Sequence, residues 1–215
     1  MEKVEITRKE VYRYLGYKNG LIDEKTKDMI ESCIKELEQI AMPKFIYQVY
    51  PLSVSGNRID FSVFQTNSKH LGINLKGCSK VALFAATLGI QVDLLIGKYS
   101  KLEVSKAFFM QAIAAAMIED YCNYYQHIIE KEMEKEGLYA RPRFSPGYGD
   151  FSLEHQKEIT SILNTPKTIG LTVTDTLILA PAKSVTAIIG FSTTKQHCHK
   201  HGCEVCKKID CEFRR

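Results

Sequence analysis

Hydrophobic and polar residues follow a helical period in several stretches of this chain. From Asp23 to Leu37, apolar residues return every three or four positions, which is typical of one buried face of an amphipathic helix. Asp23 suits the N-cap of this helix, and Pro43 follows its expected end. A longer helix is predicted over residues 104–136, before Gly137. Its expected buried face comprises Val104, Phe108, Ala115, Ile118, Cys122, Tyr125 and Ile129.

Shorter segments complete the predicted secondary structure. Thr7 and Glu10 have the spacing of a capping box, so a short helix is expected between Thr7 and Gly16. Helices are also predicted after Gly89 and over an amphipathic stretch that begins at Ser152 and ends near residue 163. Strands are predicted at residues 45–49, 59–64, 81–85, 169–179 and 183–191. This irregular order predicts an α+β fold with a twisted, largely antiparallel sheet flanked by helices.

Length and composition fit one domain with a small appendage. The chain has 215 residues, of which 45% are hydrophobic and 25% charged, so it has enough apolar residues for a sizeable core. We assign residues 1–192 to the domain and 193–215 to a Cys/His-rich tail. The longest apolar run, residues 81–90, is about half of the roughly 20 residues that a membrane span requires. With no basic-then-apolar leader at Met1, the expected location is cytoplasmic and away from membranes.

The charge is concentrated at the C-terminal end. The formal net charge is +4, and residues 195–215 hold six Lys/Arg against three Asp/Glu, which is +3 of that total. The remainder of the chain is therefore close to neutral. A near-neutral body argues against a large nucleic-acid interface.

The seven cysteines divide into two groups. Cys33, Cys78 and Cys122 are scattered among apolar neighbours and are interpreted as small core residues. The other four lie in the tail, interleaved with histidines, and two of them have C-x2-C spacing. Four thiolates suit tetrahedral zinc or an iron–sulfur cluster, although a redox-sensitive tail and simple packing remain open. These candidate metal ligands are Cys198, Cys203, Cys206 and Cys211.

The segment 143–148, Arg-Phe-Ser-Pro-Gly-Tyr, combines a fixed cation, a rigid turn and an aromatic ring. The planar fork of Arg143 suits a carboxylate, because it can make two parallel hydrogen bonds. Pro146 fixes its own φ, and Gly147 permits a bend that a side chain would obstruct. Tyr148 offers a flat face and a hydroxyl to a group held in the bend. A plain surface turn after a basic residue is the alternative interpretation.

The spacing Arg-x-x-x-Gly-Tyr resembles the S-adenosylmethionine-binding motif of the reactivation domain of vitamin B12-dependent methionine synthase. Further partial matches follow the family's order over roughly residues 80–192. The chain therefore resembles a stand-alone member of this family. The matches are Phe-Ala-Ala-Thr-Leu-Gly at 84–89, Ala-Met-Ile-Glu at 116–119, Leu-Thr-Val-Thr-Asp-Thr at 171–176 and Ala-Pro-Ala-Lys-Ser-Val-Thr at 180–186.

The resemblance implies a set of ligand contacts. Arg143 would bind the carboxylate of S-adenosylmethionine, and Glu119 would offset the ligand's positive charge. The backbone around Phe144 and Ser145 would meet the adenine, with Gly147 forming the bend. The ring of Tyr148 would lie between the sulfonium and a docked cobalamin. Each implied role has an ordinary alternative: Glu119 as a solvated side chain and Tyr148 as a packing residue.

Arg141 competes with Arg143 for the carboxylate, and only the Gly-Tyr spacing favours Arg143. The sequence also departs from the family in two respects. The family's longer domain takes an acidic residue for the ligand's ammonium from an aromatic-rich N-terminal segment, and this chain shows no counterpart and no tryptophan. That domain also supplies a tyrosine from beyond the last matched strand, where this chain has its Cys/His-rich tail.

The implied function is reactivation of cobalamin-dependent methionine synthase, with S-adenosylmethionine as methyl donor. Because the chain has no Asp-x-His-x-x-Gly cobalamin motif, the cobalamin would be carried by a partner protein, and an electron donor such as flavodoxin would be needed. No side chain is expected to act as acid, base or nucleophile. One alternative is activation of a different corrinoid methyltransferase protein, with a tail metal or iron–sulfur site for electron entry. Another is a zinc-containing binding module.

Overall fold

The computed structural model describes residues 4–17 and 22–195. Helices and strands are mixed in irregular order and the strand pairings are antiparallel, which confirms the predicted α+β class. The helices are Arg8–Tyr14 (α1), Glu24–Ile40 (α2), Lys69–Asn74 (α3), Ile90–Leu102 (α4), Val104–Glu134 (α5), His155–Ile162 (α6) and Thr165–Thr168 (α7). The strands are Lys44–Pro51 (β1), Ser53–Ser55 (β2), Arg58–Asp60 (β3), Gln65–Asn67 (β4), Lys80–Thr87 (β5), Tyr139–Ala140 (β6), Thr172–Val173 (β7), Leu179–Ala180 (β8) and Ser184–Ser192 (β9).

The central sheet has the strand order β1-β5-β9-β6. β5 pairs along its whole length with β1 on one side and with β9 on the other. Both inner strands are almost entirely buried, because side chains on each face of the sheet are covered by other elements. β2, β3 and β4 form a separate small sheet, and β7 pairs with β8.

Helices α1, α2, α4 and α5 cover one face of the central sheet. Ala82, Phe84 and Ala86 of β5 belong to the core on this face, which we call the helical face. α5 is the longest helix and carries the small residues Ala112, Ala114 and Ala116, all at most 8% exposed. Small residues allow close approach between a helix and its neighbours, so α5 packs tightly at the centre of this face.

Shorter elements cover the opposite face, which we call the mixed face. Alternate residues of β5 point to it because side chains on a strand alternate between the two faces of a sheet. The small sheet, α3, α6 and the segment after α7 supply the other core residues. This core comprises Ile59, Phe61, Leu71, Leu75, Val81, Leu83, Ala85, Phe151, Ile159, Leu163, Ile169, Leu171 and Ile188.

The structure confirms α2 and corrects two details of the helical prediction. The Asp23 carboxylate accepts a hydrogen bond from the Thr26 amide at 2.9 Å, as expected of an N-cap. Thr7 makes no such cap, because its hydroxyl and amide both donate to the Asp120 carboxylate on α5, at 3.0 and 2.7 Å. In α5, Val104 and Phe108 are 73% and 58% exposed, so the predicted buried face is wrong in its first turns. Apolar residues surround the helix there, and the period does not select one face.

Three predicted elements are interrupted by turns. The strand expected at 59–64 ends at Asp60, whose carboxylate accepts from the amide of Ser62, a residue with φ of 65°. The strand expected at 169–179 is instead a hairpin, β7–β8, with positive φ at Gly170 and Leu177. Positive φ is incompatible with a continuous strand. The helix expected from Ser152 begins at His155 and ends at Ile162, after a turn in which the Ser152 hydroxyl accepts from the Glu154 amide.

Candidate functional site

The segment between β6 and α6, residues 141–154, runs beside β9 at the border of the two cores. Phe144 forms an isolated antiparallel bridge with Ile188, in which each amide donates to the other's carbonyl, at 2.9 and 2.8 Å. The amide N–H of Phe144 is therefore already used. The ring of Phe144 packs against the mixed-face core, 6.3 Å from the ring of Phe151. This bridge fixes the start of the segment on the sheet.

The predicted bend is a β-turn over Ser145–Tyr148. The Tyr148 amide donates to the Ser145 carbonyl at 3.2 Å, and Gly147 at the third position has φ of 91°. Proline at the second position and a positive φ at the third are typical of a type II turn. A Cβ on Gly147 would lie 3.1 Å from Leu153 Cδ1, so a larger residue would also have to displace that side chain slightly. The structure thus shows the bend expected at Gly147, while its part in a ligand site stays a prediction.

Arg143 reaches from this segment to α5, and its side chain is only 16% exposed. Its Nη2 donates to the Glu119 carboxylate at 3.2 Å and to Asn123 Oδ1 at 2.8 Å. Its Nη1 donates to Gln126 Oε1 at 2.8 Å. We call these four residues the Arg143 cluster. The structure thus brings Arg143 and Glu119 together, but as partners of each other.

The aromatic residue of the motif lies at the surface. Tyr148 is 64% exposed, and its ring centroid is 6.3 Å from that of Phe144, with the planes at 71°. The turn therefore presents an accessible ring, and the predicted role of Tyr148 toward a ligand stays a prediction. Two surface hollows of about 480 and 330 Å³ lie elsewhere. The larger hollow is lined by β1–β4 and their loops, and the smaller by β1, Lys80 of β5 and residues 132–136; neither includes a predicted ligand residue.

The structure distinguishes between Arg141 and Arg143, the two arginines that could bind the ligand's carboxylate. Arg141 is 2% exposed, and its Nη2 donates to the Lys76 carbonyl at 3.3 Å. Its backbone amide donates to the Gly190 carbonyl at 2.7 Å, which holds it against β9. A guanidinium enclosed in this way is not accessible to a dissolved ligand. Arg143, whose side chain is 16% exposed over α5, is the more accessible of the two.

Asn123 and Gln126 were missed by the sequence analysis. They lie four and seven residues after Glu119, which places all three on one face of a helix. The sequence shows this spacing, but it indicates contacts to Arg143 only when Arg143 is known to lie over this face of α5. Gln126 also donates from Nε2 to Glu130 at 2.7 Å, which fixes the orientation of its amide.

Asp150 was missed as well, and it anchors the far end of the segment. Its carboxylate accepts from the Ser68 hydroxyl at 2.5 Å and from the amides of Lys69 and His70 at 2.7 and 3.1 Å. These bonds, led by that from Ser68, lower the pKa of Asp150 to about 2. Asp150 therefore stays ionised and holds the segment to the first turn of α3.

The two fully buried cysteines, Cys33 and Cys122, carry no reactive thiolate. Cys122 is fully buried, and burial raises the pKa of its thiol to about 12, while the nearby charge of Arg143 acts in the opposite direction. Cys33 is also fully buried, with its pKa raised to about 11 by burial. Both are core residues, as predicted, whereas Cys78 is only partly buried. A neutral thiol at Cys122 adds no charge beside the Arg143 cluster.

The proposed metal ligands Cys198, Cys203, Cys206 and Cys211 lie outside the described residues. Within residues 4–17 and 22–195, no group of three or more His, Cys, Asp or Glu side chains is placed to hold a metal ion. The zinc or iron–sulfur site therefore stays a prediction. Over the same residues, no helix is both long and apolar enough to cross a membrane.

The fold is similar to one that has been solved with a nucleoside ligand. No protein-family model matches the chain, and no curated protein matches it by sequence. Among solved structures, it matches the crystal structure of the MetH reactivation domain bound to AdoHcy with a TM-score of 0.62. The match has 15% sequence identity and covers 83% of this chain and 68% of that one. The reactivation-domain fold expected from the motifs is confirmed, and at this identity the similarity concerns the fold alone.

Proposed function

We propose that this protein binds S-adenosylmethionine at the surface between the Ser145–Tyr148 turn and α5. The observation that carries the proposal is the contact between Arg143 and Glu119 beside the turn. It supplies a cation and an anion for an amino acid, in a fold that also occurs with AdoHcy bound, and Arg143 precedes by two residues the turn that carries the exposed ring of Tyr148. These are the recognition elements that a charged, methyl-bearing nucleoside requires.

Each residue has a defined task in this proposal. Arg143 binds the ligand's carboxylate, and Glu119 interacts with its positive end. Tyr148 lies near the sulfonium, where a cation–π contact contributes on the order of 1 kcal/mol. Because the amide of Phe144 is bonded to Ile188, the backbone contact to adenine falls to Ser145, and Phe144 contributes its ring.

We further propose that the bound methyl group is delivered to a corrinoid protein, with cobalamin-dependent methionine synthase as the leading candidate. The reaction adds one electron to cob(II)alamin and transfers the methyl cation of S-adenosylmethionine to cobalt, which releases S-adenosylhomocysteine. The protein's contribution is orientation, since the ligand and the cobalt must be held in line. An external donor such as flavodoxin supplies the electron.

Calorimetry with S-adenosylmethionine and S-adenosylhomocysteine tests the binding step. Arg143→Ala removes a charge-assisted contact worth about 2 kcal/mol, so the dissociation constant is expected to rise about 30-fold. Arg13→Ala is the matched control, because Arg13 is 18% exposed and pairs with Glu10 at 2.6 Å. An equal loss in both variants, or no binding to the wild-type protein, contradicts the proposed site.

Reconstitution tests the reactivation step. A cob(II)alamin-loaded methionine synthase, a reductant and labelled S-adenosylmethionine are mixed with and without this protein, and methylcobalamin is measured. We expect methylation to depend on the protein and to fall with Arg143→Ala. If the synthase recovers equally well without it, the role is refuted. Methylation of a different corrinoid protein in the same assay would identify that protein as the partner instead.

A further inference from the structure

The guanidinium of Arg143 has few hydrogens left for a ligand. Its Nη2 donates to Glu119 and Asn123, which uses both hydrogens of that nitrogen. Its Nη1 donates to Gln126, which uses one of two. The hydrogens that these bonds leave over are that of Nε and one on Nη1. These two do not lie on a common edge of the fork.

A bidentate carboxylate needs two hydrogens on one edge. The end of the fork offers Nη1 and Nη2, and its side offers Nε and Nη2, so both edges include Nη2. The hydrogen bond from Nη2 to either Glu119 or Asn123 must therefore break before Arg143 can bind a carboxylate with two hydrogen bonds.

The contact to Glu119 is the one that opens more easily. At 3.2 Å it is longer than the 2.8 Å contact to Asn123, and the Glu119 side chain is 36% exposed, so its carboxylate can turn into water. When Glu119 moves away, the ligand's carboxylate replaces its negative charge beside the guanidinium. Displacement of the neutral Asn123 would instead place two carboxylates on one guanidinium.

We infer that a zwitterionic amino-acid group binds by splitting the Arg143–Glu119 ion pair. The ligand's carboxylate replaces Glu119 on Nη2, and its ammonium replaces Arg143 as the partner of Glu119. This inference rests on the proposed function, and it adds a requirement: the ligand must carry both a carboxylate and an ammonium group. One ion pair becomes two, and no charge is left without a partner, provided that the ligand carries both groups.

A ligand with only one of the two groups leaves a charge uncompensated. A carboxylate alone would take Arg143 and leave Glu119 without its cation. An ammonium alone would take Glu119 and leave Arg143 with the amides of Asn123 and Gln126. In either case the resident ion pair is broken and only one new ion pair forms, so the pair discriminates against truncated nucleosides.

The test compares S-adenosylhomocysteine with two thioethers of adenosine, one carrying a carboxypropyl and one an aminopropyl group. Wild-type protein should bind S-adenosylhomocysteine at least about tenfold more tightly than either, the equivalent of one charged contact. Glu119→Gln removes the resident anion from Arg143. The carboxypropyl compound should then gain about tenfold over its wild-type affinity, while S-adenosylhomocysteine gains nothing.

Glu130→Gln is the matched control. It removes the same charge from the same helix, but Glu130 contacts Gln126 and not the guanidinium. A gain for the carboxypropyl compound in Glu119→Gln alone supports the splitting of the pair. Equal gains in both variants, or none in Glu119→Gln, overturn it, even where S-adenosylhomocysteine binds the wild-type protein and the proposed function stands. Absence of that binding overturns the proposed function itself.

Discussion

The segment between β6 and α6 is held by a charged residue at each end, and the two attachments differ in kind. Asp150 accepts hydrogen bonds from one hydroxyl and two backbone amides of the first turn of α3. Within the described residues, Arg143 donates to side chains of α5 alone, one of them a carboxylate. Backbone amides cannot leave without unwinding the turn, whereas side chains can rotate. The Asp150 end is thus attached to backbone groups of α3, whereas the Arg143 side chain is held by side chains that can rotate.

The largest effect is expected where the backbone itself is fixed. Gly149 has φ of 56°, and a Cβ there would lie 2.6 Å from His70 Nδ1 and 3.0 Å from its Cβ. Gly149→Ala must therefore move His70, whose amide is bonded to Asp150. Positive φ and the clash together should lower the free energy of unfolding by about 3 kcal/mol, measured by urea denaturation.

Gly137→Ala separates the two causes. Gly137 has a similar φ of 73°, but its added Cβ would meet no atom of residues 4–17 and 22–195 within 4 Å, its chain neighbours aside. Its substitution should cost about 1 kcal/mol, which is the conformational part alone. Equal costs at both positions would mean that the contact with α3 does not constrain the segment.

A smaller effect, measured as a change in the pH dependence of stability, is expected from Asp150→Asn. The folded-state pKa of Asp150 is about 2, below its ordinary 3.8, so its ionised form favours the fold. That contribution is complete above the ordinary pKa and is lost as the pH falls from about 4 to about 2. The melting temperature of the wild-type protein should therefore fall more steeply over this window than that of Asp150→Asn.

Asp60→Asn is a suitable comparison for the acid measurement. Asp60 also accepts a backbone amide, that of Ser62 at 2.7 Å, but it belongs to a local turn and not to the attachment of α3. We expect its variant to keep the wild-type steepness. Identical slopes for wild type and Asp150→Asn would show that the carboxylate at position 150 does not hold the segment.

The helices could be predicted where polar and apolar residues separate cleanly. α2 has one apolar face and an aspartate cap, and both were found. α5 is apolar around its first turns, so its exposed Val104 and Phe108 could not be told from core residues. The elements of the mixed face were harder to predict from the sequence. Its core residues come from short elements, and single residues such as Leu177 with positive φ break what the composition presents as one strand.

The site could be predicted only as far as its motif extends along the chain. Proline and glycine marked the turn, because each constrains φ in a known way, and Arg143 and Glu119 were selected by the resemblance. Nothing local indicated that they pair with each other. Their contact depends on a separation of 24 residues being closed by the fold. The roles of Asn123 and Asp150 depend on the same long-range packing.

The smallest effect on stability is expected at the exchangeable end. Asn123→Ala removes one neutral acceptor from Arg143, at 2.8 Å. Water can replace this acceptor at the surface, so the free energy of unfolding should fall by no more than about 1 kcal/mol in urea denaturation. The affinity for S-adenosylhomocysteine should change more than the stability does, because the guanidinium loses a contact that sets its orientation.

Gln126→Ala extends the same measurement to Nη1, where the bond is also 2.8 Å. If Arg143 can exchange its partners, Asn123→Ala and Gln126→Ala should each have a clearly higher free energy of unfolding than Gly149→Ala. A cost near 3 kcal/mol for either amide would instead make Arg143 a structural anchor equal to Asp150. An anchor of that strength could not release Glu119 to a ligand, so this result would contradict both the contrast between the two ends and the splitting of the ion pair.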